Sequence, residues 1–162
     1  MKNWNFLLIL FVILVVSGCT QNPNETKDII LLHKKAWEKN DYALFESIMD
    51  ENLTFAYPGR ILNKQETLKD FKDYQNAFKD TKIYVNKIIV ENDDFAVEWQ
   101  FASTNTKTGN RTSVSDAIIG TIKGSKIVVW KEYLDGRVSR MQANGTLKLD
   151  EGKEPFPWPS KN

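Results

Sequence analysis

The stretch KIVVWKEYLDGR, Lys126 to Arg137, decides how this chain is read. Its first half has the apolar, β-branched composition of a buried strand. Charge then enters at Lys131, Glu132 and Asp135, with no turn residue before Gly136. Strand alternation puts Val128, Trp130, Glu132 and Leu134 on one face and Val129, Lys131, Tyr133 and Asp135 on the other. The question is why an acid should share a face with a core tryptophan.

Working back along the chain, period two continues. Lys82 to Val90, Phe95 to Thr104 and Arg111 to Lys123 each read as strands. They are joined by the turns Glu91-Asn92-Asp93-Asp94, Thr106 to Asn110 and Gly124-Ser125. On the second, Phe95, Val97, Trp99 and Phe101 share a face; on the third, Val114, Asp116, Ile118 and Gly120 do. Before Lys82 the period is helical. Thr26 to Asn40 carries Ile29, Ile30, Leu32, Ala36 and Trp37 at amphipathic spacing, with Thr26 as the expected N-cap. Asn40-Asp41 breaks that helix, and Tyr42 to Met49 gives a second, short one. Leu53, Phe55 and Tyr57 alternate in a strand stopped by Pro58-Gly59. Asn63 then caps a third helix, Lys64 to Phe78, striped by Leu68, Phe71 and Phe78. Helices followed by long hairpin-linked strands predict an α+β fold in which a curved antiparallel sheet wraps over about three N-terminal helices.

The chain has 162 residues, a length suited to one domain with a real core. An apolar fraction of 41% against 27% charged residues excludes a disordered chain. A formal charge of +1, without a clustered basic excess, gives no ground for a nucleic-acid surface. The single histidine excludes a His-rich metal site within one chain; nothing motivates an acidic metal site, and no cofactor is expected.

The N-terminus carries an address. After Lys2, Phe6 to Val16 is an unbroken apolar run of 11 residues, short for a membrane span and right for a signal-peptide core. Val16-Ser17-Gly18-Cys19 follows and resembles a bacterial lipobox, with the only cysteine of the chain at the lipidated position. The resemblance implies cleavage after residue 18, lipid (palmitate among it) on Cys19, and a bacterial envelope protein facing outside the cytoplasm. In a host with two membranes, the outer one is favoured. Without Lys2, basic and acidic residues balance at 21 each. The expected division is a signal over 1–18, Cys19 and a tether over 19–25, a domain over 26–140 and a tail over 141–162. In that tail Pro155, Phe156, Pro157, Trp158 and Pro159 exclude a helix or central strand. Its aromatics are expected to pin it to the domain, with a lid or a partner contact as the other uses. Sequons at Asn24, Asn52, Asn110 and Asn144 are coincidence under a bacterial address.

The order of elements resembles the NTF2-like cone, and most closely its SnoaL-like branch, which includes polyketide cyclases and limonene-epoxide hydrolase. AWEKNDYALFESIMDENLTFAYPG is similar to the family's opening, TGNRTSVSDAIIGTIKGSKIV to its middle sheet strands, and WKEYLD to the signature on its last strand. The resemblance spans Thr26 to Asp135 and implies a deep apolar cavity inside the sheet. It answers the opening question: one face of the last strand lines a cavity, and the other is partly wet. Phe55, Tyr57, Phe71, Trp99, Phe101, Val114, Ile118 and Trp130 are then the expected pocket residues, with Glu132 on the floor and Asp116 across the neighbouring strand. Two carboxyls there would repel and be desolvated, which raises pKa and suits acid/base work. The alternative is a Glu132 satisfied by Tyr57, Trp99, a backbone amide or an arginine, and an Asp116 turned outward. His33 reads as a surface or rim residue. Lys131, Tyr133 and Arg137 suit either a homodimer contact or a solvated face.

The positions of the hydrolase's catalytic Arg and Asp fall on Trp99 and Phe101, and those of its Tyr and Asn near Phe55 and Tyr57. Only its last-strand acid has a counterpart, Glu132, so epoxide hydrolysis by that route is not expected. Three functions remain. One is a membrane-anchored domain binding a small apolar or ring-containing molecule, or an envelope partner. The second is a SnoaL-like isomerase, cyclase or hydrolase using Glu132 or Asp116. The third is a protein-binding module whose pocket is filled by its own side chains.

Overall fold

The computed structural model describes residues 22–147 and 154–155. The leader, Cys19 and Phe156 to Pro159 lie outside the described residues. Ten elements follow one another: helices α1 (Pro23–Lys39) and α2 (Tyr42–Ser47), strands β1 (Met49–Tyr57) and β2 (Arg60–Leu62), helix α3 (Lys64–Ala77), strands β3 (Phe78–Glu91), β4 (Asp94–Asn105), β5 (Arg111–Lys123) and β6 (Lys126–Leu134), and helix α4 (Gly136–Ala143). The expected order is present, with β2 and α4 added.

Local chemistry sets the helix ends. Asn22, not Thr26, caps α1, accepting from the Asn24 N–H at 3.0 Å. Pro23 fills the first turn, where its missing N–H has no intrahelical partner to lose. Residues 23–25, read as tether, are therefore helical, and Thr26 is buried in the second turn. Asn40 ends α1 in the left-handed region at φ 54°, a conformation asparagine tolerates better than most residues. Asp41 caps α2, and Asn63 with Glu66 forms a reciprocal capping box on α3.

The sheet runs β2-β1-β6-β5-β4-β3. β3 to β6 form an antiparallel meander, whereas β1 lies parallel to β6, so the sheet is not wholly antiparallel. Register shifts interrupt β3 between Lys79 and Lys82 and between Val85 and Lys87, the first at Asp80 with φ 53°. Such bulges bend a strand and let the sheet curl over the helices. A further shift corrects the alternation read for the last strand. Thr121 pairs with Val129 but Ile122 pairs with Ile127, which leaves Val128 as the extra residue. Ile127, fully buried, and not Val128, therefore shares the inner face with Trp130.

The core fills the closed end of the cone. Ile30, Phe45, Phe71, Trp99, Ile118, Ile122, Ile127 and Trp130 are each at most 1% exposed. Gly120 sits opposite both Phe95 and Trp130. A Cβ there would lie 2.3 Å from the Val129 carbonyl oxygen and 2.6 Å from Phe95 Cζ, so only glycine permits that approach. β6 stops at Leu134, opposite Asp116, leaving the first half of β5 without that neighbour. α4 occupies the gap. Gln142 Oε1 accepts from the Ser113 N–H at 2.8 Å, pairing a buried group that no strand reaches. The chain then returns to the sheet, where Glu154 takes hydrogen bonds from Arg111 Nε at 2.5 Å, Arg111 Nη2 at 2.8 Å and the Tyr84 hydroxyl at 3.1 Å. The described anchor of the tail is thus an ion pair rather than an aromatic.

Candidate functional site

The inner face of the sheet and helices α1, α3 and α4 enclose a cavity of about 330 Å³, at the lower end of the usual range for small-molecule sites. Six of the eight residues named from sequence line it: Phe55, Tyr57, Phe71, Trp99, Phe101 and Val114. Asp116 and Glu132 line it too. Ile118 and Trp130 do not. Both are fully buried in the packed end of the cone, and the His33 ring covers Trp130 at 4.0 Å between centroids. The cone is filled deeper than the alternation suggested, so these two residues belong to the core.

The carboxyls come together through register. Trp99 pairs with Asp116 across β4 and β5, and Ile118 pairs with Glu132 across β5 and β6. Asp116 and Glu132 are thus diagonal neighbours on one face, a placement that brings Cβ atoms to within roughly 7 Å. Asp116 Oδ1 accepts from the Tyr133 N–H at 3.0 Å, and Oδ2 accepts from Trp99 Nε1 at 3.4 Å. Glu132 Oε1 accepts from Trp130 Nε1 at 3.0 Å. Asp116 therefore points inward, and Glu132 is held by a residue two positions away on its own strand. Burial pushes Asp116 up to about 6, against the pull of its N–H donors. Burial, joined by the Asp116 charge, pushes Glu132 up to about 8. One face of the cavity thus holds a carboxyl that is neutral at physiological pH beside one that ionises more readily.

The sequence reading missed other members of the wall. His33 is 1% exposed, not a surface or rim residue. It lies between aromatic rings, stacked on Trp130 and 5.3 Å from Phe45. Its Nε2 accepts from Trp37 Nε1 at 3.3 Å, which places the proton of the neutral ring on Nδ1, and Nδ1 is buried without a partner. Burial holds its pKa down at about 3. The signal was available: His33 continues the series Ile29, Ile30, Ala36 on the buried side of α1. On the opposite wall the Tyr57 hydroxyl donates to Asp70 Oδ2 at 2.8 Å, and Arg60 Nη1 donates to the same oxygen at 2.9 Å. Tyr74 donates to Ser103 Oγ at 2.5 Å, and burial pushes its phenol up to about 12. These pairs link α3 to β1 and to β4, which no local pattern discloses. Among the described residues no three His, Cys, Asp or Glu side chains group as a metal site.

The family model of the SnoaL-like domain matches residues 32–130, more than half of the chain. The chain belongs to the SnoaL-like family. Its cone is the NTF2-like fold, and solved structures share it at low identity. An LEH-like epoxide hydrolase of Mycobacterium tuberculosis superposes with a TM-score of 0.66 at 12% identity, covering 74% of this chain and 89% of that one. IdmH of Streptomyces antibioticus, provisionally assigned as a polyketide cyclase, gives 0.67 at 15% identity over 74% and 98%. AclR of Streptomyces galilaeus, provisionally assigned as a hydroxylase, gives 0.68 at 18% identity over 79% and 85%. No curated protein matches the chain in sequence. At these identities the likeness carries the fold and not the chemistry.

Proposed function

We propose that this SnoaL-like domain binds a small, largely apolar or ring-containing molecule in the cone, and that it does so outside the cytoplasm on a lipid anchor at Cys19. The observation that carries the first part is the cavity itself. Nine of its lining residues have aromatic or imidazole rings, and its few polar groups converge from β1, α3, β5 and β6. The lipobox carries the second part. A cavity of this size also speaks against a module filled by its own side chains. Lipid analysis of the full chain tests both. Solvent extraction and mass spectrometry of purified protein should yield a bound small molecule, and a labelled fatty acid should enter wild-type but not Cys19→Ala protein. A clean extract, together with no stabilisation by any member of an aromatic compound panel, would overturn the binding reading.

A second reading is supported by the carboxyl pair. A neutral Glu132 beside an ionisable Asp116 can give and take a proton on one face of a bound ring. The relatives named as cyclase and epoxide hydrolase are consistent with acid/base work in this fold. Trp99 and Phe101 occupy the places of the hydrolase's Arg and Asp, so the reaction would be an isomerisation, cyclisation or hydrolysis of another kind. Turnover of the extracted molecule by wild-type but not Glu132→Gln protein separates this reading from simple binding.

A further inference from the structure

We infer that the ligand of this cavity is an organic cation: an amine or quaternary ammonium group carried on an apolar or ring-containing body. The inference rests on reading the cavity as a small-molecule site and names the class of molecule it takes.

The charges of the wall are one-sided. Asp70, Asp116 and Glu132 line the cavity, and among the described lining residues there is no Lys or Arg. Asp70 already has its counter-charge in Arg60 at 2.9 Å. Asp116 and Glu132 are met by N–H groups, those of Trp99, Tyr133 and Ala117 for Asp116 and that of Trp130 for Glu132, and by no cation among the described lining residues. The nearby cations are turned elsewhere: Arg60 and Lys131 line an adjoining hollow of about 600 Å³, of which Glu132 and Tyr57 are also walls. A buried Asp116 and a half-buried Glu132 without a cation are costly to hold ionised together, and a ligand that brings one supplies the missing partner. A neutral ligand leaves the deficit in place.

The rings offer the same preference by a different route. Around Trp37, Phe71, Tyr74 and Phe101 stand at interplanar angles of 65°, 80° and 84°, with centroids 4.7 to 5.5 Å away. Such a wall presents ring faces as well as edges, and the negative faces attract alkylammonium groups. His33 adds a third feature. It is a lining residue whose ring stays neutral, so it puts no positive charge on the wall to oppose a cation.

Benzyltrimethylammonium and the uncharged 1-phenyl-2-methylpropan-2-ol have nearly the same shape and differ in charge. Each is titrated into the purified full chain, with tryptophan fluorescence as the readout. The cation is expected to bind at least about tenfold tighter than the alcohol near pH 8. Its affinity should rise from about pH 5.5 to 8.5, because binding then favours ionised Glu132 and releases a proton. The groups facing Glu132 do not reverse that trend. Asp116 on β5 ionises in the same direction, His33 on α1 stays neutral, and Asp70 on α3 remains paired with Arg60 of β2. Lys131, on the strand of Glu132 itself, is exposed. Glu132→Gln should lose about tenfold for the cation and flatten its pH trend while sparing the alcohol; Asp116→Asn serves as the second variant if the first does not fold. Equal or tighter binding of the alcohol, or cation affinity that falls with pH, overturns the inference and leaves the binding site standing. Failure of both probes at millimolar concentration overturns the inference and counts against the binding reading as well.

Discussion

Replacing Glu132 by glutamine should stabilise the fold, and by an amount that depends on pH. In the unfolded chain the carboxyl ionises near its ordinary 4.5; in the fold it is held up to about 8 by burial and by Asp116. A raised carboxyl keeps its proton in the native state while the unfolded state loses it. Native stability is therefore undiminished below pH 4.5, falls as pH rises toward 8, and falls no further above it. At 1.36 kcal/mol per pH unit, the deficit at pH 7 is at most about 3 kcal/mol. The amide has almost the same shape, can accept from Trp130 Nε1 as Glu132 does at 3.0 Å, and does not titrate. It adds one N–H, whose desolvation offsets about 1 kcal/mol if it finds no partner. Urea unfolding should show Glu132→Gln more stable than wild type by about 1–3 kcal/mol at pH 7 and nearly equal to it at pH 4.5. A loss of about 2 kcal/mol or more at pH 7, or a difference that does not change with pH, would refute the reasoning. Glu132 would then be an ionised, satisfied structural acid, and the acid/base reading of the cavity would fall with it.

Two further outcomes follow from the same wall. His33, held near 3 by burial, should make the fold lose about 1.4 kcal/mol for each pH unit below its ordinary 6.5; His33→Phe, which can keep the stack on Trp130, should remove that dependence in acid unfolding curves. Gly120→Ala should cost about 2–3 kcal/mol in denaturant unfolding, since its Cβ would meet the backbone oxygen of Val129 as well as the Phe95 ring.

Much of this structure was written in local pattern. Alternation in Phe95 to Phe101 and in Val114 to Gly120 identifies the inner face, because each inward residue on β4 pairs with an inward one on β5 without a shift. The capping side chains of Asn63 and Asp41 mark α3 and α2, because a short polar side chain accepts an N–H within its own turn. The reading failed where the deciding partner is remote. Val128 was placed inward because a bulge is a property of two strands, not of one. Ile118 and Trp130 were placed in the cavity because alternation gives direction but not depth. The parallel pairing of β1 with β6 joins segments about 70 residues apart and leaves no turn signal between them. His33 is expected at the surface or rim, although its spacing on α1 is that of a core residue. A buried neutral imidazole with one accepted hydrogen bond packs as a small aromatic ring.

Taken together, the titrations leave Asp116 as the one carboxyl of the pair that is ionised at neutral pH, with Glu132 still protonated and His33 neutral. Between pH 4.5 and 6.5, His33 gains stability for the fold with rising pH while Glu132 loses it. Their slopes are equal and opposite, so the pair contributes almost nothing there. Asp116, pushed up to about 6, tips the sum toward loss over the lower part of that interval. Above pH 6.5 only Glu132 is still titrating among the three, and the loss resumes. The fold therefore tolerates a neutral interior and resists a negative one. Ionising Glu132 in an otherwise empty cone works against folding, whereas ionising it against a bound cation does not. The occupant, rather than the scaffold, then sets the charge of the site, and the pH trend of binding reports the sign of that occupant's charge.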